Sequence, residues 1–308
     1  MPLRLLTVAL LLAASPSALA QSALIDAARS DDAATAARLI ADGADPSAPD
    51  DSGRTPLAVA AAFDAPAVAA LLLGAGADPD AAPPNAYGEP TATPLFWAFN
   101  GGVEASVAPL LLAAGADAFA PVPLSDLPTI AIAAREGHLG VVLPYLRAHP
   151  DAVVPAMLPL AAARGDAAGV DSLLALGVAL DGVLYGDRPA LHAAATRPGE
   201  YLLDDLGDAY DAVGVVQRLL AAGLDPNADG CAEVCGTPLH VAAWEGRADV
   251  VAALLAGGGD PARTTDFFGD ALDAASVARA RLDGLADEDG YGPAPTAAEL
   301  RATLAVLE

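Results

Sequence analysis

One 33-residue pattern recurs along this chain of 308 residues, and it restricts the possible folds more than any other feature. The clearest copy begins at Thr237 and closes with a run of glycines. Three of the seven intervals between successive starts are 33 residues long. The other intervals are longer or shorter than 33, as expected where loops carry insertions or deletions. The eight starts are Ser22, Thr55, Thr93, Pro128, Ala156, Pro189, Thr237 and Asp270.

A glycine at a fixed distance from the start checks the register of the repeat. Gly43, Gly76, Gly177 and Gly258 each lie 21 positions after the start of their unit. Glycine just past the end of a helix adopts the left-handed conformation that terminates it. The pattern therefore predicts that a second helix of each unit ends at this glycine.

The remaining positions of the unit each have a physical reason. In the clearest copy Thr237-Pro238 places a hydroxyl at the N-cap and a proline at the first helical position, where its missing N–H costs nothing. The small pair Ala242-Ala243 lets neighbouring helices approach closely, and Leu254-Leu255 supplies the apolar stripe of a second helix. The unit is a helix-turn-helix.

The run Thr237-Pro238-Leu239-His240-Val241-Ala242 reproduces T-P-L-H-x-A, the signature of the ankyrin-repeat family. From residue 22 to residue 308 the chain resembles that family. The resemblance implies an all-α ankyrin-repeat solenoid of about eight helix-turn-helix units joined by hairpin-like loops. Because each unit of a solenoid contacts only its neighbours, we expect residues 21–308 to form one domain with a continuous core.

Some units depart from the signature. Those starting at Ala156 and Pro189 lack Thr-Pro, so we expect them to be less regular. In the last unit the sequence predicts a first helix near Ala271 to Leu285. Its second helix is predicted to start at Thr296, which forms a capping box with Glu299.

Residues 1–20 have the composition of a secretory signal peptide. Arg4 is the one basic residue, Leu5 to Ala14 form an apolar run, and Ala18-Leu19-Ala20 has the small-x-small order of a cleavage site. The apolar run is too short to span a bilayer. We therefore expect a mature chain that begins at Gln21, is periplasmic or secreted, and does not insert into a membrane after cleavage.

The chain is strongly acidic. Its formal net charge is −25, and all fifteen basic residues are arginine. Such a chain disfavours nucleic acid and anionic lipid surfaces as partners. Codon bias, a saline habitat and a basic partner protein are the alternative explanations for the acidity.

The search for catalytic chemistry finds no constellation. His192 and His240 occupy the signature position of their repeats, where the family uses histidine as a hydrogen-bonding structural residue, and His138 and His149 lie at a turn and at a helix end. No nucleophile elbow, phosphate-binding loop or metal-ligand spacing is present in the sequence. We expect no catalytic residues, no metal and no cofactor, and hence no enzyme.

Cys231 and Cys235 are the two cysteines, and they lie in one hairpin loop flanked by glycines. An oxidising compartment favours a disulfide between them. Zinc binding would need more than two thiols, and the spacing is not that of a C-x-x-C redox motif. We expect the disulfide to fix the shape of the loop tip.

The resemblance places a binding surface on hairpin tips and first-helix ends, where packing leaves the residue type free. Trp244 and the arginines there are the preferred contacts, because such residues dominate interface hot spots. Phe63 is predicted either to contact a partner or to pack partly against the next unit. Trp97 is assigned to the core, and Tyr87 and Phe267 are weaker candidates. The predicted partner-binding residues are Arg54, Phe63, Arg135, Glu136, Arg164, Arg188, Arg197, Trp244 and Glu245.

Together these features predict a monomeric periplasmic or secreted scaffold that binds another protein, whose identity the sequence does not reveal. The alternative is an inhibitor or immunity-type protein that neutralises a toxin or enzyme through the same surface. An enzyme is the least supported reading.

Overall fold

A computed structural model describes residues 16–101, 104–123, 125, 127–184, 188–197, 210–230, 236–267, 270–284 and 295–308. The chain divides into two compact units, residues 1–125 and 126–308. The described structure is almost entirely helical and repeats a helix-turn-helix pair. The predicted all-α repeat solenoid is thereby confirmed.

The first unit contains three helix pairs within its described residues. The first helices of the pairs pack side by side in one layer, and the second helices pack side by side in another. The helices are α1 (Pro16–Arg29), α2 (Ala33–Ala41), α3 (Pro56–Ala62), α4 (Pro66–Gly74), α5 (Pro94–Asn100) and α6 (Ala108–Ala113).

The second unit, taken by itself, also has two layers of helices. Its odd-numbered helices are the first helices of their pairs and pack in sequence order, as do its even-numbered helices. The helices are α7 (Thr129–Glu136), α8 (Leu139–Ala148), α9 (Met157–Ala163), α10 (Ala167–Ala175), α11 (Ala190–Ala195), α12 (Ala212–Ala221), α13 (Pro238–Trp244), α14 (Ala248–Ala256), α15 (Ala274–Leu282) and α16 (Ala297–Leu307).

Short antiparallel hairpins precede two of the first helices in the second unit. Strand β1 (Val183–Leu184) pairs with β2 (Arg188–Pro189), so that Val183 faces Pro189. Strand β3 (Thr265–Phe267) pairs with β4 (Asp270–Leu272), with Thr265 facing Leu272. These are the hairpin-like loops that the repeat predicts.

The predicted helix starts at Thr55 and Thr93 are confirmed. Both residues are extended, and their hydroxyls accept hydrogen bonds from the N–H groups of Ala58 and Phe96 at 3.2 and 3.4 Å. The helix that starts after Pro189 has no side-chain cap, as expected for a unit that lacks Thr-Pro.

The last unit differs from its prediction at the first helix. The first helix is present within the predicted range, but it starts later than expected, because residues 270–272 pair as strand β4 and α15 begins only at Ala274. Asp273 is its cap and accepts a hydrogen bond from the Ser276 N–H at 2.7 Å. The capping box of the second helix is confirmed: the Thr296 N–H donates to Glu299 Oε2 at 2.7 Å, and the Glu299 N–H donates to Thr296 Oγ1 at 3.2 Å.

Glycine ends the second helices by adopting a left-handed backbone. Gly76 has φ +89° and Gly258 has φ +95°, values that a residue with a Cβ rarely adopts. The amide of each donates to a carbonyl three residues back in its helix, at 3.0 and 3.1 Å. The predicted helix stop is confirmed at both positions.

The core is built from alanine pairs and from one leucine of each leucine pair. Ala60, Ala61, Ala242 and Ala243 are completely buried, which allows adjacent first helices to pack closely. In the second helices the first leucine of the pair is buried and the second is half-buried in most units. The two leucines therefore differ in what they contribute to stability.

The pair Leu254 and Leu255 tests this difference. Leu254 has 0% of its surface exposed, whereas Leu255 is half-buried. Leu254→Ala should reduce the free energy of unfolding by about 3 kcal/mol, because it leaves a cavity between helices, and Leu255→Ala should cost less than half as much. Urea denaturation of both variants measures the difference. Equal losses would show that the stripe of α14 has been assigned to the wrong side.

The signature histidines connect each first helix to the loop of the following repeat. His192 Nε2 lies 3.0 Å from the Gly236 carbonyl oxygen, and His240 Nε2 lies 3.1 Å from the Leu272 carbonyl oxygen. The Thr237 N–H donates to His240 Nδ1 at 3.3 Å. We infer from this bond that the ring proton of His240 is on Nε2, where it is donated to Leu272.

Both rings are buried, and burial disfavours their charged form. Burial lowers the pKa of His192 from 6.5 to about 4, although the hydrogen bond to Gly236 acts in the opposite direction. Burial likewise lowers the pKa of His240. The histidines are therefore neutral structural groups at neutral pH.

This burial predicts a pH dependence of folding. The unfolded chain takes up a proton on His192 near pH 6.5 and the folded chain only near pH 4, so the stability is fully present above pH 6.5 and falls as the pH drops through that window. The loss should reach about 3 kcal/mol at pH 4. His192→Gln, which keeps a donor for Gly236, should flatten the dependence. Urea titrations between pH 7.5 and 4 compare the two proteins, and identical slopes would contradict the assignment.

Candidate functional site

In the second unit, the carboxyl-terminal ends of the first helices lie side by side. Arg135 lies in the last turn of α7, Arg164 is the C-cap of α9, and Trp244 ends α13. Because α7, α9, α11, α13 and α15 pack in this order, their ends form one edge of the unit. Arginine side chains recur along it. We call Arg135, Arg164, Arg188, Arg197 and Arg281 the arginine row.

Arg164 links the ends of two neighbouring repeats. Its Nη1 donates to the Arg135 carbonyl oxygen at 3.1 Å. Gly137 makes room for this approach: a Cβ there would lie 2.8 Å from the Nε and Nη2 atoms of Arg164, and the glycine has φ +84°. Arg135 itself pairs with the adjacent Glu136, Nε to Oε1, at 2.6 Å. Three charged side chains from two repeats thus lie close together.

Arg188 and Arg197 extend the row toward the next repeat. Arg188 starts in strand β2, and its Nη1 lies 3.4 Å from Oγ1 of Thr196, the C-cap of α11. Arg197 Nη2 donates to the Glu245 carbonyl oxygen at 3.0 Å and to Glu299 Oε1 at 3.0 Å. The side chain of Arg197 is only 18% exposed, so this pairing is partly shielded from solvent.

Trp244 is half-buried and carries a guanidinium on its face. The Cζ atom of Arg281 lies 4.6 Å from the Trp244 ring centroid, which is the geometry of a cation–π contact. Part of the indole is therefore covered by the chain itself. The structure thus places Arg281, which is not among the predicted contacts, against Trp244.

Glu245 is a carboxylate among these arginines. Burial raises the pKa of Glu245, and the charges of Arg197, Arg281 and Arg188 act against that increase. Ionised Glu245 consequently carries a desolvation cost in the free protein.

Arg247 is a buried residue of this edge that the sequence analysis did not single out. Its Nη1 donates to the carbonyl oxygens of Ala194 and Thr196, both at 3.1 Å, and to the Tyr210 hydroxyl at 2.8 Å. Only 8% of Arg247 is exposed. It joins the end of α11 to the residue before α12. Nothing in its sequence position distinguishes it from an exposed arginine.

The remaining predicted contacts, Arg54 and Phe63, belong to the first unit. Arg54 pairs with Asp50 within one turn, Nη2 to Oδ2 at 3.3 Å. Phe63 is 49% exposed, and Arg29 Cζ lies 5.3 Å from its ring centroid. The Phe63 ring is thus about half exposed and has a charged neighbour. Whether it contacts a partner stays a prediction.

The other aromatic candidates differ in exposure. Tyr87 is 89% exposed. Trp97 is half-buried rather than fully in the core, and its Nε1 is buried without a hydrogen-bond partner among the described residues. Cys231, Cys235 and the side chain of Phe267 lie outside the described residues.

Two other kinds of feature, a metal-binding cluster and a membrane-spanning helix, are not found among the described residues. No group of three or more His, Cys, Asp or Glu side chains there is placed to hold a metal ion. No helix in that part of the chain has the length and apolarity needed to cross a bilayer. His149, one of the four histidines, stacks on Tyr145 with ring centroids 4.2 Å apart.

Comparison with known proteins supports the repeat assignment. The model of the family described as Ankyrin repeat matches residues 52–82 and 236–266. A probable E3 ubiquitin-protein ligase of Oryza sativa subsp. japonica, XBOS34, is 34% identical over 111 residues, which are 36% of this chain and 19% of that protein. The chain therefore spans about a fifth of the length of this relative.

Among solved structures, the human ASB11 ankyrin repeat domain is similar with a TM-score of 0.49 and 23% sequence identity, and the match covers 92% of this chain and 96% of that one. The family-model match and the observed helix pairs are the observations that indicate repeats. Residues 52–82 and 236–266 match the ankyrin-repeat model, and within each unit the described helices around the match form two layers.

Proposed function

We propose that this protein is a binding scaffold that contacts another protein through the first-helix ends of its second unit. Ankyrin repeats support a role in protein–protein interaction. The observation that carries the proposal is the pair Trp244 and Glu245 at the end of α13, inside the matched repeat at residues 236–266, with Arg281 of α15 lying against the indole. Tryptophan and arginine are the residue types that most often dominate interface energetics.

A purely binding role accounts for the titratable groups that the structure describes. His192, His240, Tyr210 and Glu245 have shifted pKa values, and burial is the largest cause for each. The two histidines bond to backbone groups and to Thr237 at the helix cap, and Tyr210 bonds to Arg247, all of which are structural partners. Burial within helix packing explains such shifts without a reaction. The ligase description belongs to the rice protein as a whole, and we propose a non-enzymatic role for this chain.

Trp244→Ala tests the proposed face. We expect the variant to weaken binding of the partner by roughly 2 kcal/mol or more, because the indole provides the large apolar surface next to the arginine row. Its own stability should fall by only about 1 kcal/mol, the value of the contact with Arg281. Calorimetric titration and thermal melts measure the two quantities.

The partner for that titration is identified by photo-cross-linking. A photoreactive amino acid at Arg135 should capture it, whereas the same group at Arg147, which is exposed on the second helix of the same repeat, should not. Phe119→Ala, another exposed aromatic truncation, is the matched control for binding. Intact binding with a large loss of stability in Trp244→Ala would show that the indole is core and the face is misplaced.

We also propose that the chain is exported and that its mature form begins at Gln21. The order of basic, apolar and small residues in the first twenty positions supports this. Helix α1 runs through the proposed cleavage site, and the contact of Gln21 Nε2 with the Ala48 carbonyl oxygen at 2.7 Å lies on the retained side. An oxidising compartment would favour the Cys231–Cys235 disulfide.

Amino-terminal sequencing of the protein recovered from its native compartment should read Gln21. Ala18→Arg, which introduces a large charged residue into the small-x-small site, should block processing and leave the longer chain. Recovery of unprocessed protein from the cytosol, starting at Met1 or Pro2, would rule out export. An inhibitor or immunity-type role would use the same face at higher affinity, and no observation favours it over a general scaffold.

A further inference from the structure

We propose that the arginine row binds an acidic segment of the partner protein, with an apolar or aromatic side chain of that segment seated against Trp244. This inference rests on the proposed function, since it names the chemistry of the partner at the same face. It concerns the second unit alone, where the contacts that define the row are described.

The distribution of charge supports an acidic ligand. The chain has 40 acidic and 15 basic residues, yet its first-helix ends in the second unit concentrate the positive charges. The carboxylates described next to them are Glu136, Glu245, Asp249 and Glu299. The arginines there are Arg135, Arg164, Arg188, Arg197, Arg247 and Arg281, six of the fifteen basic residues. A positive surface in an acidic protein is complementary to a partner of the opposite sign.

Arg164 and Arg188 use only part of their hydrogen-bonding capacity within the described residues. A guanidinium has five N–H donors. Arg188 makes one long contact, 3.4 Å to Thr196, and Arg164 makes one bond, to the Arg135 carbonyl oxygen. Neither has a carboxylate within 4 Å among the described residues. Carboxylates of a partner can form bidentate pairs with such groups.

Two buried N–H donors of the row also lack a hydrogen-bond acceptor among the described residues. The Nε atoms of Arg164 and Arg197 are buried and have no hydrogen-bond partner in the described part of the chain. Buried donors without partners are uncommon in folded proteins and carry a desolvation cost. Rotation of either side chain toward a bound carboxylate would satisfy its donors. Binding of an acidic segment would thereby relieve a cost that the free chain carries.

The chemistry favours a protein segment over a nucleic acid. The net charge of −25 opposes long polyanions, whose many phosphates extend beyond the row into the acidic remainder of the chain. A short acidic segment experiences mainly the local charges, because salt screens interactions beyond about 8 Å at physiological ionic strength. Trp244 adds an apolar contact surface that suits a side chain of a peptide.

The test uses the full mature chain and a fluorescein-labelled peptide of twelve Asp and Glu residues with one central Phe. Fluorescence anisotropy should show binding that weakens with added salt. The double variant Arg164→Gln/Arg188→Gln should weaken it at least about fivefold, because it removes the two guanidinium groups without described carboxylate partners. Arg147→Gln, which removes a single guanidinium from an exposed position on the second helix α8, should leave it unchanged.

Glu245→Gln provides the opposite change at the same place. It removes a negative charge beside the row while keeping the shape of the side chain, so acidic-peptide binding should tighten about twofold or more. Because a misfolded variant would not bind more tightly, this result separates a binding effect from a folding effect. Circular dichroism melts of each variant accompany the titrations.

Several outcomes would overturn the inference. These are equal binding of a peptide in which Lys replaces the acidic residues, equal weakening by Arg147→Gln, unchanged binding in Glu245→Gln, or tighter, row-dependent binding of a twelve-nucleotide oligothymidine. A cross-linked partner whose affinity depends on Trp244 but not on the row would refute the acidic segment and leave the scaffold function standing. Absence of any partner cross-linked at Arg135 would refute the scaffold function itself.

Discussion

Close packing of alanine faces between successive first helices is the constraint on which this structure depends. A single helix pair cannot bury its own apolar surface, so each repeat is stable only against its neighbours. The alanine pairs of the first helices are completely buried, as at Ala60, Ala61, Ala242 and Ala243. Their small side chains let the first helices within each unit lie near one another in a common direction. Their carboxyl ends therefore meet at one edge. The negative ends of their dipoles gather there, and arginine is the side chain that compensates them. The arginine row follows from the packing of the repeat before any partner is considered.

Local features of this fold were predictable because the chemistry that specifies them lies within a few residues. Thr55 caps the residue three positions on, and the glycine that ends a second helix needs only its own backbone conformation. Trp244 was placed at a first-helix end by its distance from Ala242-Ala243, and the structure puts it there. The buried member of each leucine pair was not predictable, because which side of α14 faces the core depends on how neighbouring repeats pack.

Features that depend on contacts between distant residues could not be predicted from the sequence. Arg247 bonds to residues 53 and 51 positions earlier and to Tyr210, 37 positions earlier, and no local pattern marks it as buried. Arg188 was predicted on a hairpin tip, yet its guanidinium reaches Thr196 at the other end of α11. The last unit shows a similar effect: pairing of β3 with β4 takes residues 270–272, which delays the helix that its sequence pattern placed at Ala271.

The arginines of the edge divide into two roles that sequence position alone would merge. Arg247 is enclosed, and its Nη1 donates to two carbonyl oxygens and a hydroxyl, so its charge serves the fold. Arg164 and Arg188 are half-buried, and each makes one hydrogen bond within the described residues. Most of their N–H donors therefore have no partner there. Glu245, which neighbours these arginines, is subject to two opposing effects. Burial opposes its ionisation, and the surrounding guanidinium groups favour it. Under the proposed function, these remaining donors, which exceed what the helix ends require, are the groups that contact the partner.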